Sequence, residues 1–230
     1  MNPHLLQQFS KLTEFLGRAL GPDYEVALHD LTDKDCSIVA IANNHISGRE
    51  IGAPLTNVAL KIIADRSYQT SDYRVHYRGM SADGKLLRSS TFFLKSETGA
   101  LVGMLCINFD DSRYKQVSDS ILGLCHPDSF VETNFSFDDQ RVPVPLPPSE
   151  DPESFQHTPR GVAGSEVANV LRDMNVAADR LTQEEKMEVV GALESRGVFL
   201  LKGAVKDVAE ALCCSPASVY RYLSKLRKED

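Results

Sequence analysis

Arg221, Lys225, Arg227 and Lys228 lie close together near the C-terminus, on a stretch from Ser215 to Lys228 that contains no acid. Cations at that density suit phosphate oxygens, and short polar or aromatic side chains interleaved with them suit base edges. The stretch offers both: Ser215, Ala217, Tyr220, Arg221 and Ser224 for base edges and flanking phosphates, then Lys225, Arg227 and Lys228 for the backbone. Arg221 is the residue best placed to read a base.

A second group is quieter. His29, Arg49, Thr91 and Asn108 are polar residues carried by segments that otherwise read apolar, and a few placed polar groups in an apolar cavity are what a small-ligand site requires. Each also has an ordinary structural use. His29 can satisfy a buried carbonyl, Arg49 can pair with Glu50 or another acid, and Thr91 and Asn108 suit a strand and its end.

No constellation for catalysis stands beside these. The sequence has no Gly-rich phosphate loop, no G-x-S-x-G elbow and no zinc spacing among its six histidines. Cys125 and His126 are adjacent, which on a helix end points them apart. The five cysteines are odd in number and unpaired in spacing, so free thiols are expected, with neither a disulfide framework nor a metal. Haem would need an axial ligand in the region where His45 is the only histidine, and a turn residue bonded to backbone is the simpler use of His45. The chain is read as a non-enzyme without a cofactor.

The elements that must position these residues follow from periodicity. Ser215 can cap a helix, with Pro216 in its first turn and Val219, Tyr222, Leu223 and Leu226 as its apolar stripe. Ala204 to Leu212 is a shorter helix with Val205, Val208, Ala209 and Leu212 on one side, which leaves only Cys213 and Cys214 for the corner. Two short helices across so tight a turn make a helix-turn-helix, and the second would enter the major groove of double-stranded DNA. Cys213 stands where such turns usually carry glycine, so the corner needs a different geometry or left-handed backbone strain. Thr182 to Arg196 supplies a third helix, with Thr182 and Glu185 placed as a capping box.

Upstream, Pro3 to Leu20 is an amphipathic helix. Tyr24 to Leu31 and Cys36 to Ala42 form a hairpin, Thr56 to Tyr68 a helix, and Tyr73 to Met80, Leu86 to Lys95 and Ala100 to Phe109 a meander. The last strand is apolar on both faces, so both must be covered. A helix capped by Asp111 runs to Cys125, and another, marked by Val167, Val170, Leu171 and Met174, precedes the C-terminal module. Between them, six prolines from residue 142 to 159 prevent helix and disfavour a central strand. The expected architecture is α+β: a five-stranded antiparallel sheet with helices over residues 1–125, resembling a PAS domain by element order. A Pro-rich linker follows at 126–162, and an all-α helix-turn-helix domain with its connecting helix at 163–230.

The net charge of −7 would oppose DNA if spread evenly. From Leu181 onward, however, eight basic residues balance eight acidic ones, so the whole excess lies on residues 1–180. With no apolar run of the roughly 20 residues that span a bilayer and no signal-peptide pattern, no membrane partner and a cytoplasmic location are expected.

Three segments carry more than topology: Asn44 to Thr56 (NHISGREIGAPLT), Gly103 to Asn108 (GMLCIN), and GVFLLKGAVKDVAEAL followed by SVYRYL at the C-terminus. Together, and in this order, they resemble the YheO-type bacterial transcriptional regulators. That resemblance implies an N-terminal PAS-like domain that senses a small-molecule effector and a C-terminal helix-turn-helix. The alternative is a PAS-like protein-interaction module without a ligand, tethered to DNA. The apolar stripes of Pro3 to Leu20 and of residues 164–177 exceed what one sheet can cover, so a homo-oligomer, a dimer or dimer of dimers, is expected.

Overall fold

The computed structural model describes residues 1–81, 83–125 and 152–229, except for the side chains of residues 228 and 229. Helix α1 (Pro3–Leu20) starts where the Asn2 side chain accepts from the His4 amide and Pro3 needs no partner for its nitrogen. Strands β1 (Tyr24–Asp30) and β2 (Ile38–Ala42) form the hairpin. Helix α2 (Asn57–Asp65) is capped by Thr56 and ends sooner than its apolar pattern suggests, because Arg66 turns left-handed. Strands β3 (Tyr73–Met80), β4 (Leu86–Lys95) and β5 (Leu101–Asp110) form the meander, and α3 (Ser112–Cys125) follows.

Among the described residues the sheet has six strands, not five. Its order is β2-β1-β5-β4-β3-β6, and β6 is Glu153–Ser154, paired parallel to the Gly79–Met80 end of β3. Two residues after a proline carry no period-2 pattern, and an edge position is where a flanking proline is tolerated. The linker expected at 126–162 therefore contributes a strand to the sheet, while residues 126–151 lie outside the described residues.

Alternation along the strands sorts the side chains. Val26, Leu28, Leu94 and Leu105 point to one face and are covered by Leu6, Phe9 and Leu16 of α1. Ala27, Tyr77, Phe93, Met104 and Cys106 point to the other, where Leu55 and Val58, Ala59, Leu60 and Ile62 of α2 meet them.

That inner core continues into the C-terminal helices without a break. Helix α4 (Pro159–Met174), capped by Thr158, buries Val162, Val167 and Val170. Helix α5 (Gln183–Ser195) opens with the Thr182/Glu185 capping box and buries Val189, Val190 and Leu193. Helices α6 (Ala204–Ala211) and α7 (Pro216–Glu229) form the corner. Cys213 takes φ +50 there, so the strain foreseen for a non-glycine residue is present, costing about 1–2 kcal/mol. The Cys214 amide closes the turn on the Ala209 carbonyl at 2.9 Å.

The two halves are joined by more than their shared core. Gly197 adopts φ +74 against α2, and a Cβ built there would lie 2.6 Å from the Leu60 carbonyl oxygen. Lys202 reaches Asp33 at 3.2 Å and Asp35 at 3.5 Å. The apolar stripe of α4 is largely buried in its own chain, whereas that of α1 is covered only in part: Leu5, Leu6, Phe9 and Leu16 are half-buried, and Leu12, Phe15 and Leu20 stay exposed. A further exposed apolar row is on α3: Tyr114, Val117, Ile121 and Leu124, the last 85% exposed.

Candidate functional sites

The register of the sheet assembles the first site. Glu25 stands opposite Asn108, Asn108 opposite Ser89, and Ser89 opposite Tyr77, so one row across β1, β5, β4 and β3 is polar. The next row pairs Ala27 with Cys106 and Cys106 with Thr91, and a further one pairs His29 with Met104. His29, Thr91 and Asn108 thus share the inner face, and all three are buried.

Arg49 comes to the same face from the loop between β2 and α2. Ser47 accepts its amide at 3.2 Å, Asn44 donates to its carbonyl at 3.1 Å, and the guanidinium donates to the Pro54 carbonyl. Only 2% of Arg49 is exposed. Burial draws its pKa down, opposed by the charges of Glu153 and Glu25. One buried cation therefore feels the charge of two carboxyl groups inside the domain.

Both carboxyls are themselves pushed up by burial. Against this, Glu25 receives the Ser47 hydroxyl at 2.6 Å, the Ser47 amide at 3.1 Å and the Asn108 amide at 2.9 Å. Glu153, brought in by β6, receives the Thr56 hydroxyl at 2.7 Å, with Arg49, Ser89 and Tyr77 beside it. Tyr77 shares a 2.8 Å hydrogen bond with Thr91, whose hydroxyl lies 3.2 Å from the Cys106 sulfur. Burial pushes the Cys106 thiol up to about 12, so it is an inert thiol rather than a nucleophile.

His29 Nδ1 lies 2.9 Å from the Ser37 hydroxyl, and Ser37 donates onward to the Ala53 carbonyl. Burial, helped by the charge of Arg49, holds its pKa well below 6.5. Folding thus requires neutral His29. Its stability contribution is complete above pH 6.5 and is lost as pH falls from there toward the depressed native value. We expect a loss of about 1 kcal/mol per pH unit from this one group, removed in His29→Gln and measured by urea unfolding at pH 6.5 and 5.5.

Four polar atoms in this region are buried without a hydrogen bond: Arg49 Nε, Ser89 Oγ, Asn108 Oδ1 and Glu153 Oε2. Buried polar atoms are nearly always paired, so a cluster of four is a place equipped for further polar partners. The four residues singled out from sequence are brought together here. Glu25, Ser89 and Cys106 were missed although alternation puts them in phase with His29, Thr91 and Asn108. Glu153 had no comparable signal, since it lies in a proline-rich run.

The second site is the outer side of α7. Ser215 caps it by accepting from the Ser218 amide at 3.2 Å. Ser215, Ala217, Tyr220, Arg221, Ser224, Lys225 and Arg227 are exposed. The Arg221 guanidinium lies 5.5 Å from the Tyr222 ring centre, while Arg227 pairs with Glu194 at 2.8 Å. An exposed pair is worth little, so phosphate can compete for Arg227. Tyr220, Ser224 and Arg227 line one wall of an open groove of about 700 Å³, opposite Phe199 and Lys206. The Lys228 side chain lies outside the described residues.

Comparison with known proteins agrees with both halves. Residues 1–126 match the model of the YheO-like PAS domain, and residues 164–224 match a helix-turn-helix domain. The chain belongs to the YheO-like PAS family. Among its YheO-like relatives are the uncharacterized protein YheO of Escherichia coli strain K12, 26% identical over 98% of this chain and 86% of that protein, and the transcriptional regulator DauR of Pseudomonas aeruginosa, 25% identical over 97% of this chain and 95% of DauR. Among solved structures, the phage VqmA–DPO complex aligns with 95% of this chain and 89% of its own at 13% identity, with a TM-score of 0.34. The two matched domains give the chain the PAS-plus-helix-turn-helix architecture of a transcription regulator. Among the described residues, no helix is long and apolar enough to cross a membrane.

Proposed function

We propose that this chain is a cytoplasmic, DNA-binding regulator of transcription whose PAS-like half senses a small molecule and so controls a helix-turn-helix dimer. The observation that carries the sensory part is the buried row of polar side chains around Arg49, with four hydrogen-bonding atoms left unpaired. The reading part is supported by the exposed outer side of α7, whose sequence is acid-free as far as Lys228, and by the helix-turn-helix match and the likeness to DauR.

One set of measurements on the full chain tests both. A metabolite that binds the native state raises the melting temperature, so thermal screening looks for the effector; no stabilising compound across a broad library would count against sensing. Operator binding should weaken steeply with salt, because Lys225, Arg227 and Lys228 displace counterions from phosphate. Arg221→Ala should cost about 1–3 kcal/mol on the preferred site and relax one base position, whereas Lys225→Ala should weaken all sequences alike. Salt-independent binding would refute the DNA assignment.

The exposed apolar row on α3 favours a second reading, in which the PAS-like half is a protein-interaction module without a ligand. It also supplies an open surface for self-association: Tyr114, Val117 and Ile121 are each more than half exposed. Light scattering distinguishes a dimer, which the first reading requires, from a monomer that waits for another protein.

A further inference from the structure

Strand β6 does more than extend the sheet. The segment from Pro152 to Phe155 enters the buried polar region and fills part of it with its own side chains. Glu153 is 3% exposed and Phe155 1%. The Phe155 ring packs with Ile46 and Leu87, 6.0 Å below the Arg49 guanidinium. Gly79 makes room for this on β3, since a Cβ there would lie 2.8 Å from the ring.

Beyond the burial of Glu153 and Phe155, few polar contacts hold the segment. Apart from its short pairing with β3, the Asn57 side chain accepts from the Ser154 amide at 2.8 Å and donates to the Pro152 carbonyl at 3.2 Å. One amide side chain thus clamps the strand from both sides. The Glu153 carboxyl is held by Thr56 with Arg49 beside it, yet its second oxygen has no hydrogen bond, and neither do Arg49 Nε and Ser89 Oγ. A better-fitting acid could use what Glu153 leaves unused.

We propose that Pro152–Phe155 is a built-in occupant of the sensory pocket, and that the effector is a small organic acid whose carboxyl group takes the place of Glu153 beside Arg49 and Thr56. This rests on the sensory reading above. Because Thr158, the cap of α4, follows Phe155 within three residues, expulsion of β6 pulls directly on the helix that packs against α5 and α6. Effector binding and β6 docking exclude each other, and the reading head receives the difference.

Acetate is the fragment of the Glu side chain beyond Cβ, so Glu153→Ala in the full chain creates a site of its size. The expected result is a melting temperature of Glu153→Ala that rises by about 3–6 °C in acetate at ten times its dissociation constant, relative to chloride at equal ionic strength. Wild type, whose site is filled, should respond far less. Asn57→Ala, which unclamps β6 but keeps every group that holds the carboxyl, serves if Glu153→Ala does not fold. It should respond to propionate more than wild type does, with faster amide exchange at residues 153–157. Equal responses of wild type and both variants, or none in either variant, overturn the proposal. If acetate stabilises Glu153→Ala while no metabolite stabilises wild type, the carboxyl site stands and the sensory reading falls. A wild-type ligand found without any acetate response would mean the reverse.

Discussion

Arg49→Ala should destabilise the protein by about 3–5 kcal/mol, the usual cost of removing one partner from a buried ionic cluster. Arg49 is almost wholly buried, and its charge opposes the burial of both Glu25 and Glu153. Without it, two carboxyls remain in an apolar interior, and they become protonated rather than stay charged. The loss should therefore depend on pH with a definite sign. Glu25 and Glu153 already have raised native pKa values, so their contribution is complete below the unfolded value of 4.5 and declines as pH rises through the native ones. In Arg49→Ala that decline becomes steeper, and the deficit relative to wild type should shrink between pH 7 and pH 5. Adding Glu25→Gln and Glu153→Gln should recover part of the stability at neutral pH. Urea unfolding across that range is the check, and a loss below about 1 kcal/mol would mean that Arg49 has no ionic role in the core.

Gly197→Ala is the second substitution expected to act strongly, by about 2–4 kcal/mol. Roughly 1–2 kcal/mol comes from placing a Cβ in the left-handed region. The rest comes from the collision with the Leu60 carbonyl and the Ala64 methyl, 2.6 and 3.2 Å from the added atom. A backbone carbonyl within α2 cannot swing aside as a flexible side chain can, so the helix-turn-helix must lift from the PAS-like half. Calorimetry should then show two transitions in place of one. A single transition shifted by less than about 1 °C would show that the close approach at Gly197 does not matter for docking.

Local signals were legible where chemistry and geometry lie within a few residues of each other. Thr182 with Glu185, Ser215 with Pro216, and the stripe Val219, Tyr222, Leu223 are read directly, because caps and periodicity are short-range. The strain at Cys213 was legible for the same reason. His29, Arg49, Thr91 and Asn108 stood out as polar residues in apolar segments, but their common neighbours did not. Glu153 joins them only through a two-residue strand after a proline, and Phe155 only because Gly79, far away in the chain, leaves space. Gly197 shows the same limit from the other side. Its role in ending a helix is visible in the sequence, while its contact with α2 exists only in the assembled fold. The apolar faces of α1 and α4 were legible as faces, but not that the second is covered within the chain and the first only in part.

Val189, Val190 and Leu193 of α5 share one continuous core with Leu55, Val58 and Ile62 beside α2, and Lys202 crosses to Asp33 and Asp35. Neither half is then a cassette that can be cut out and transplanted whole. A helix-turn-helix domain grafted from an unrelated regulator would leave α2 uncovered, and this PAS-like domain moved to another one would carry its bare side along. New DNA preferences in this lineage are accordingly expected to arise by single substitutions at outward positions of α7, such as Ala217, Tyr220 and Arg221, where no residue of the PAS-like half has to change in step.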